Sequence, residues 1–188
     1  MPGVVVLGID PGSRRCGFGV VARAGARLSR LDSGVLVPGN ALGMAERLGL
    51  ILERLTALLE RVAVDAVAVE TAFCGRSPRS ALALGQARGV ALAAAARQGL
   101  PVFEYAPAEV KRAFTGSGRA EKAQMVRTAR ALFGVEARLA DEADALAVAV
   151  CHLARPGRRP APARPRVPAA LSRAGVLRRA VRSYREAP

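Results

Sequence analysis

Val4 to Ile9 form an apolar run, interrupted only by Gly8, that stops at Asp10 with Pro11 and Gly12 directly after it. A short run that is apolar on both faces and rich in β-branched residues reads as a strand inside a sheet, covered on each side. The Pro-Gly pair turns the chain at its end, so Asp10 lies where the strand leaves the core. A carboxylate there is costly to bury unless it is paired or meets a cation. An Asp-Pro-Gly alone most often means an aspartate that hydrogen-bonds its own turn. A chemical role for Asp10 depends on other acids arriving beside it.

The following segments supply a scaffold and then more acids. Gly17 to Ala22 and Arg27 to Val37 read as two further strands joined by short turns, so the first three strands form an antiparallel meander. Asn40 is expected to cap a helix reaching about Val62, with Leu48, Leu52, Leu55, Leu59 and Val62 on one face. Val64 to Glu70 is a second buried strand that also ends at an acid. A helix starts at Ser77 or Ser80 and runs to about Gln98. Its middle is dominated by small residues, and Gly85 and Gly89 share a face that permits close approach of another helix. Leu100 to Tyr105 is a fifth strand, Pro107 opens a short helix through Lys111 and Phe114, and Thr115 to Gly118 is a loop. Helices over Arg119 to Phe133 and Leu139 to Leu153 complete the folded part. A meander followed by helix-separated strands predicts an α/β fold: a mixed five-stranded sheet with helices on both faces.

Helical crossovers make successive strands parallel, so strand ends of the same sense gather on one edge of the sheet. If the first and fourth strands are neighbours, Asp10 and Glu70 stand side by side. In Leu139-Ala-Asp-Glu-Ala-Asp-Ala-Leu146, Asp141 and Asp144 share one helical face, while Glu142 points about 100° away from Asp141. Acids in a first helical turn complement the helix dipole, and that suffices for Asp141 and Glu142. It explains Asp144 less well, because Asp144 lies deeper in an apolar helix. Four clustered carboxylates repel unless cations or protons neutralise them. Oxygen-only ligands suit Mg²⁺ or Mn²⁺ rather than zinc. Two such ions can activate a water and stabilise the leaving oxygen of a phosphodiester.

Charge and cysteine content narrow the function classes. The net charge is +14, of which residues 155–188 hold +9 (ten Arg, one Glu) and the other 154 residues +5. A basic chain points to a polyanionic partner, most often nucleic acid. Three widely spaced cysteines with no C-x-x-C pair, and one histidine, argue against a disulfide frame or a zinc site and for the reducing cytoplasm. No apolar run reaches the ~18 residues of a membrane span. The prolines between Arg158 and Pro168 break both helix and ladder. The expected organisation is therefore a folded domain over 1–154 and a basic Arg/Pro-rich tail over 155–188.

Several collinear segments together resemble the RuvC family of Holliday-junction resolvases, the crossover junction endodeoxyribonucleases. They are Gly8-Ile-Asp-Pro-Gly-Ser13, Glu70 with Phe73, Ala83-Leu-Gly-Gln-Ala-Arg-Gly-Val90, Pro101 to Ala106, Val110-Lys111, Ala120 to Gln124 and Asp141 to Ala147. The resemblance runs from Val4 to about His152. It implies a ribonuclease H-like fold, a homodimer, and paired symmetric nicks across a four-way DNA junction in recombination and repair. It also implies Mg²⁺, two ions per site, with Mn²⁺ able to substitute, and the branch-migration proteins RuvA and RuvB as partners. The family's acidic tetrad falls on Asp10, Glu70, Asp141 and Asp144; some members carry His where this chain has Asp141. Phe73 matches an aromatic that stacks on junction bases, against the plainer reading of a loop anchor. Lys111 and Lys122 match residues that contact the DNA backbone, and they are the only lysines in the chain. The helix around Gly89 corresponds to the dimer interface, against ordinary packing on the sheet. The Arg/Pro tail departs from members that end soon after the last acidic helix.

Other classes fit less well. An actin-like or sugar-kinase ATPase opens on a similar strand and turn, but needs a second glycine-rich phosphate loop and about twice this length. A non-catalytic junction-binding module has no use for an intact tetrad. A related nuclease acting on ribosomal RNA precursors would share the site and differ in substrate.

Overall fold

The computed structural model describes residues 3–71, 77–135 and 140–155. Among the described residues, five strands and five helices follow one another in the expected order. They are β1 (Val4–Asp10), β2 (Cys16–Ala24), β3 (Arg27–Leu36), α1 (Met44–Arg61), β4 (Ala66–Glu70), α2 (Pro78–Arg97), β5 (Val102–Tyr105), α3 (Pro107–Thr115), α4 (Lys122–Phe133) and α5 (Ala140–Leu153). The sheet order is β3-β2-β1-β4-β5. β1 pairs antiparallel with β2, and β2 with β3; β1 and β4 are parallel, as are β4 and β5.

Each sheet face has its own core, because successive residues of a strand point to opposite faces. Leu7 and Ile9 of β1, with Val67 and Val69 of β4, pack against Ile51, Leu55, Leu58 and Leu59 of α1 and the buried alanines of α2. Val6 and Ala68 face the other way, into a cluster built from α3, α4 and α5. From Ala145 to Leu153 every residue of α5 is buried, as an almost wholly apolar helix must be.

One expected cap is corrected. Asn40 lies before α1, which begins at Met44 with Gly43 as its N-cap. The Gly43 N–H donates to Glu46 Oε2 at 2.8 Å, so an acid three residues on does the capping work expected of Asn40. Ser77 does cap α2, accepting from the Ser80 N–H at 3.4 Å, with Pro78 opening the helix. The remaining boundaries shift by up to three residues from the sequence expectation.

Candidate active site

Register decides which acids meet. Ile9 pairs with Val69 in the parallel β1–β4 ladder, so Asp10 and Glu70 occupy the next rung, on strands ~4.8 Å apart. Asp10 shares its face with Val6 and Gly8, and Glu70 shares its face with Ala68. That is the face covered by α5.

Glycines let α5 come close. Asp10 pairs with Gly17 across the β1–β2 ladder, and Gly8 pairs with Gly19. A Cβ on Gly17 would lie 2.0 Å from the Asp141 carbonyl oxygen; one on Gly8 would lie 2.1 Å from the Ala145 carbonyl oxygen and 2.7 Å from the Ala149 nitrogen. Bare backbone on the strands and alanines on the helix therefore allow near contact. The start of α5, with Asp141 in its first turn and Asp144 just beyond it, is pressed against the sheet beside Asp10. Strand-interior glycines cost stability and pack nothing themselves, and this cost was the sequence signal for a close approach. Sequence reasoning gave Gly8 and Gly17 no such role.

The electrostatics place these acids in one shared environment. Burial pushes the Asp10 carboxyl up to about 8, helped by the negative charges of Asp144, Glu70 and Asp141 and opposed by Lys122. Glu70 is raised by burial and then by Asp144, with Lys111 pulling it down. Asp144 is also raised by burial, which outweighs the lowering by Lys122; Asp141 adds to the rise and Lys111 opposes it. The four expected acids thus lie in one field. Lys111, half-buried on α3, and Lys122, exposed at the start of α4, lie in the same field. In a chain whose other basic residues are all arginine, both lysines face the acids. Phe73 lies outside the described residues.

The donors fit divalent cations by their chemistry. Among the described residues, no group of three or more His, Cys, Asp or Glu side chains is arranged to hold a metal ion. Mg²⁺ does not require such a cage, since it is commonly held by one or two carboxylates, several waters and substrate phosphates. A carboxyl driven to about 8 by burial and its neighbours needs either a proton or a cation. The two cysteines among the described residues are far from the thiolate form: burial raises the Cys16 thiol to about 12 and the Cys151 thiol to about 11.

Polar contacts that fasten α5 at both ends were not foreseen. Ser33 Oγ on β3 donates to Glu142 Oε1 at 2.6 Å. The Tyr105 hydroxyl at the end of β5 lies 2.7 Å from His152 Nδ1, and the Phe103 ring packs at a tilt against the same imidazole, centroids 4.5 Å apart. The sequence signal was a polar residue in the last turn of an apolar helix, since buried polar groups need partners.

Comparison with known proteins shows what the chain and its fold are similar to. The family model described as crossover junction endodeoxyribonuclease RuvC matches residues 6–152. A crossover junction endodeoxyribonuclease RuvC of Anaeromyxobacter sp. (strain K) is 71% identical over 152 residues, covering 81% of this chain and 82% of that protein. The fold is similar to that of T. thermophilus RuvC in complex with Holliday junction substrate, with a TM-score of 0.74 and 38% identity over 80% of this chain and 93% of that one. The yeast mitochondrial Holliday junction resolvase Ydc2 shares the fold at a TM-score of 0.61 and 16% identity, over 81% of this chain and 79% of that one.

Proposed function

The chain belongs to the RuvC family of crossover junction endodeoxyribonucleases, and on that basis we propose that its acidic edge is the site at which it cuts DNA. As a member it is an endonuclease that resolves four-way DNA junctions, and its hydrolysis depends on a divalent metal. The finer reading assigns roles. Asp10, Glu70, Asp141 and Asp144 hold two Mg²⁺ ions, with Mn²⁺ able to replace them. One observation carries this: Glu70 of β4 and Asp141 and Asp144 of α5, far from Asp10 in sequence, all add to the burial that raises the Asp10 carboxyl, and Asp144 likewise raises Glu70.

When bound, such ions activate a water and offset charge on the leaving oxygen. The protein's own groups do the rest. Asp10 and Glu70 fix the position of the cations relative to the rigid sheet, and Asp141 and Asp144 close the site from α5. Lys111 and Lys122 offset part of the acidic charge and draw the phosphate backbone to the edge, as positively charged groups do for polyanions. Phe73, three residues beyond Glu70, stacks on a junction base, a contact worth ~1–3 kcal/mol.

The working unit is proposed to be a homodimer, which sets two sites against one junction for symmetric nicks. The outward stripe of α2 supports this. Leu82 is 65% exposed, and nothing lies within 4 Å of a Cβ built on Gly85 or Gly89. RuvA and RuvB are the expected partners, and the cytoplasm the expected compartment. A synthetic mobile four-way junction with Mg²⁺ should yield paired nicks at symmetric positions on opposing strands. Intact junction after prolonged incubation at saturating protein and metal would end the reading.

Residues 155–188, with ten Arg and one Glu, are proposed to form a separate basic arm outside the nuclease domain over 1–154. The arm adds sequence-independent affinity for DNA phosphates. Removing residues 156–188 should weaken binding to any junction sequence alike. It should also flatten the plot of log affinity against log salt, by ~0.9 for each phosphate that the arm neutralises. An unchanged slope in a salt titration of junction binding would show that the arm does not touch the DNA.

A further inference from the structure

Where α5 crosses β1 and β2, much of the contact is made by small residues, with Leu146 seated over Gly19. Gly8, Gly17 and Gly19 lie beneath it, and Ala143, Ala145, Ala147 and Ala149 are among its buried residues. Contacts between small apolar groups are favourable but non-directional, so they resist sliding and rotation weakly. Yet Asp141 and Asp144 serve a metal site only if the helix stops at one rotation and one axial height. Directional bonds at its ends supply that control. Glu142, in the first turn, accepts from Ser33 on β3 at 2.6 Å, and Ser33 Oγ in turn accepts from Arg30 Nη1 at 3.2 Å. In the last turn, His152 meets the Tyr105 hydroxyl on β5 at 2.7 Å, and the Leu153 carbonyl accepts from Arg23 Nη1 on β2. β3 and β5 are the two edge strands of the sheet, so α5 is fastened at its two ends to opposite edges.

We propose that Glu142 and Tyr105 are positioning residues for the cation site. Through Ser33 and His152 they set the angle and height at which α5 presents Asp141 and Asp144 to Asp10 and Glu70. Glu142 is then not a ligand, although it stands between two acids assigned as ligands. Its side chain is already committed to β3. Tyr105 is placed for the same task at the other end. It is the cross-strand partner of Glu70, and its carbonyl accepts from the Thr71 N–H at 2.8 Å and from Thr71 Oγ1 at 3.2 Å. One residue therefore ties the segment that carries Glu70 to the helix that carries Asp144. The inference rests on the metal-site reading given above.

The test separates geometry from charge and from the reading it rests on. Glu142→Gln keeps an oxygen that accepts from Ser33, Glu142→Ala does not, and Ser33→Ala removes the donor with little change to an edge strand. Tyr105→Phe breaks the second tie and keeps the ring. For each variant, Mn²⁺ binding to the DNA-free protein is followed by electron paramagnetic resonance. The Mn²⁺ concentration giving half-maximal junction cleavage is measured in parallel, well below the melting temperature. Glu142→Ala, Ser33→Ala and Tyr105→Phe should each weaken Mn²⁺ binding and raise the half-maximal concentration by about tenfold, the usual size of an outer-sphere effect. Glu142→Gln should stay close to the unaltered protein.

Asp144→Asn serves as the reference. If it binds Mn²⁺ as the unaltered protein does, the metal-site reading itself fails. If it loses Mn²⁺ while Glu142→Ala and Ser33→Ala retain full affinity, only the positioning role fails. If Glu142→Gln falls with Glu142→Ala, Glu142 acts through its charge and the positioning role is overturned.

Discussion

Asp10→Asn should abolish junction cleavage, by ~10³-fold or more, while leaving junction binding within a few-fold of the unaltered protein. A metal site supplies several kcal/mol of transition-state stabilisation, and each ~1.4 kcal/mol is a tenfold change in rate. Binding survives because the substitution removes a negative charge from a surface that faces phosphates. The same substitution should change stability in a direction set by the raised pKa. Asp10 titrates at about 8 in the folded protein against 3.8 ordinarily. Between these values the folded state holds a proton that the unfolded state has lost, so metal-free stability falls as pH rises from about 4 to about 8. Glu70 and Asp144, also raised, act in the same sense. Asn cannot ionise. The variant should therefore melt higher than the unaltered protein at pH 8 without metal, and its melting temperature should depend less on pH. Mg²⁺ should stabilise the unaltered protein more at pH 8 than at pH 5, because cations take the place of protons, and should do so less for the variant. Thermal melts at the two pH values, with and without Mg²⁺, together with a cleavage assay, decide the matter. Robust cutting by Asp10→Asn would refute the assignment of Asp10.

Gly8→Val is expected to be the most damaging single change outside the acids. The first added atom would lie 2.1 Å from one backbone atom of α5 and 2.7 Å from another. Neither atom can swing aside as a side-chain terminus can, so the helix must lift or the strand must bend. Overpacking costs ~1–3 kcal/mol and occasionally more, a large share of a typical total of ~5–15 kcal/mol. Lifting α5 also carries Asp141 and Asp144 away from β1 and β4, so cleavage should fall further than the loss of stability accounts for. Gly17→Ala provides the contrast. Its clash is with the first turn of α5, at the Asp141 carbonyl, where the helix begins and yields more easily. It should lower cleavage strongly and the urea midpoint only modestly. Urea unfolding and cleavage rates, measured together on both variants, test the pair. A Gly8→Val protein with unaltered midpoint and activity would contradict the packing described.

The fold was legible wherever local pattern and global role coincide. β1 and β4 are apolar runs that stop at acids, α1 has a clear apolar stripe, and α5 is apolar almost throughout, so each could be placed from periodicity and punctuation. The acids at the strand ends and Asp144 in α5 stood out for the same reason, being charges in segments that must otherwise be buried. The cap of α1 was misplaced because Asn40 is a good capping residue by type, whereas the chain used Gly43 with Glu46. Residue type alone does not say which of two nearby devices closes a helix. The ties of Glu142 to Ser33 and of His152 to Tyr105 could not be read, since each joins residues far apart in the chain.

The order of residues by itself determined the elements, the alternation that builds a mixed sheet, and the positions of four acids at element ends. Only the tertiary structure decided that β1 lies beside β4 in a register that levels Asp10 with Glu70. It alone also decided that both point to the face where α5 crosses, and that glycines bring the helix near enough to complete the group. The reason is physical: a strand's pattern repeats every two residues, so a slip of one residue reverses every side chain. That choice is made by pairing and packing between distant segments, which no single segment records.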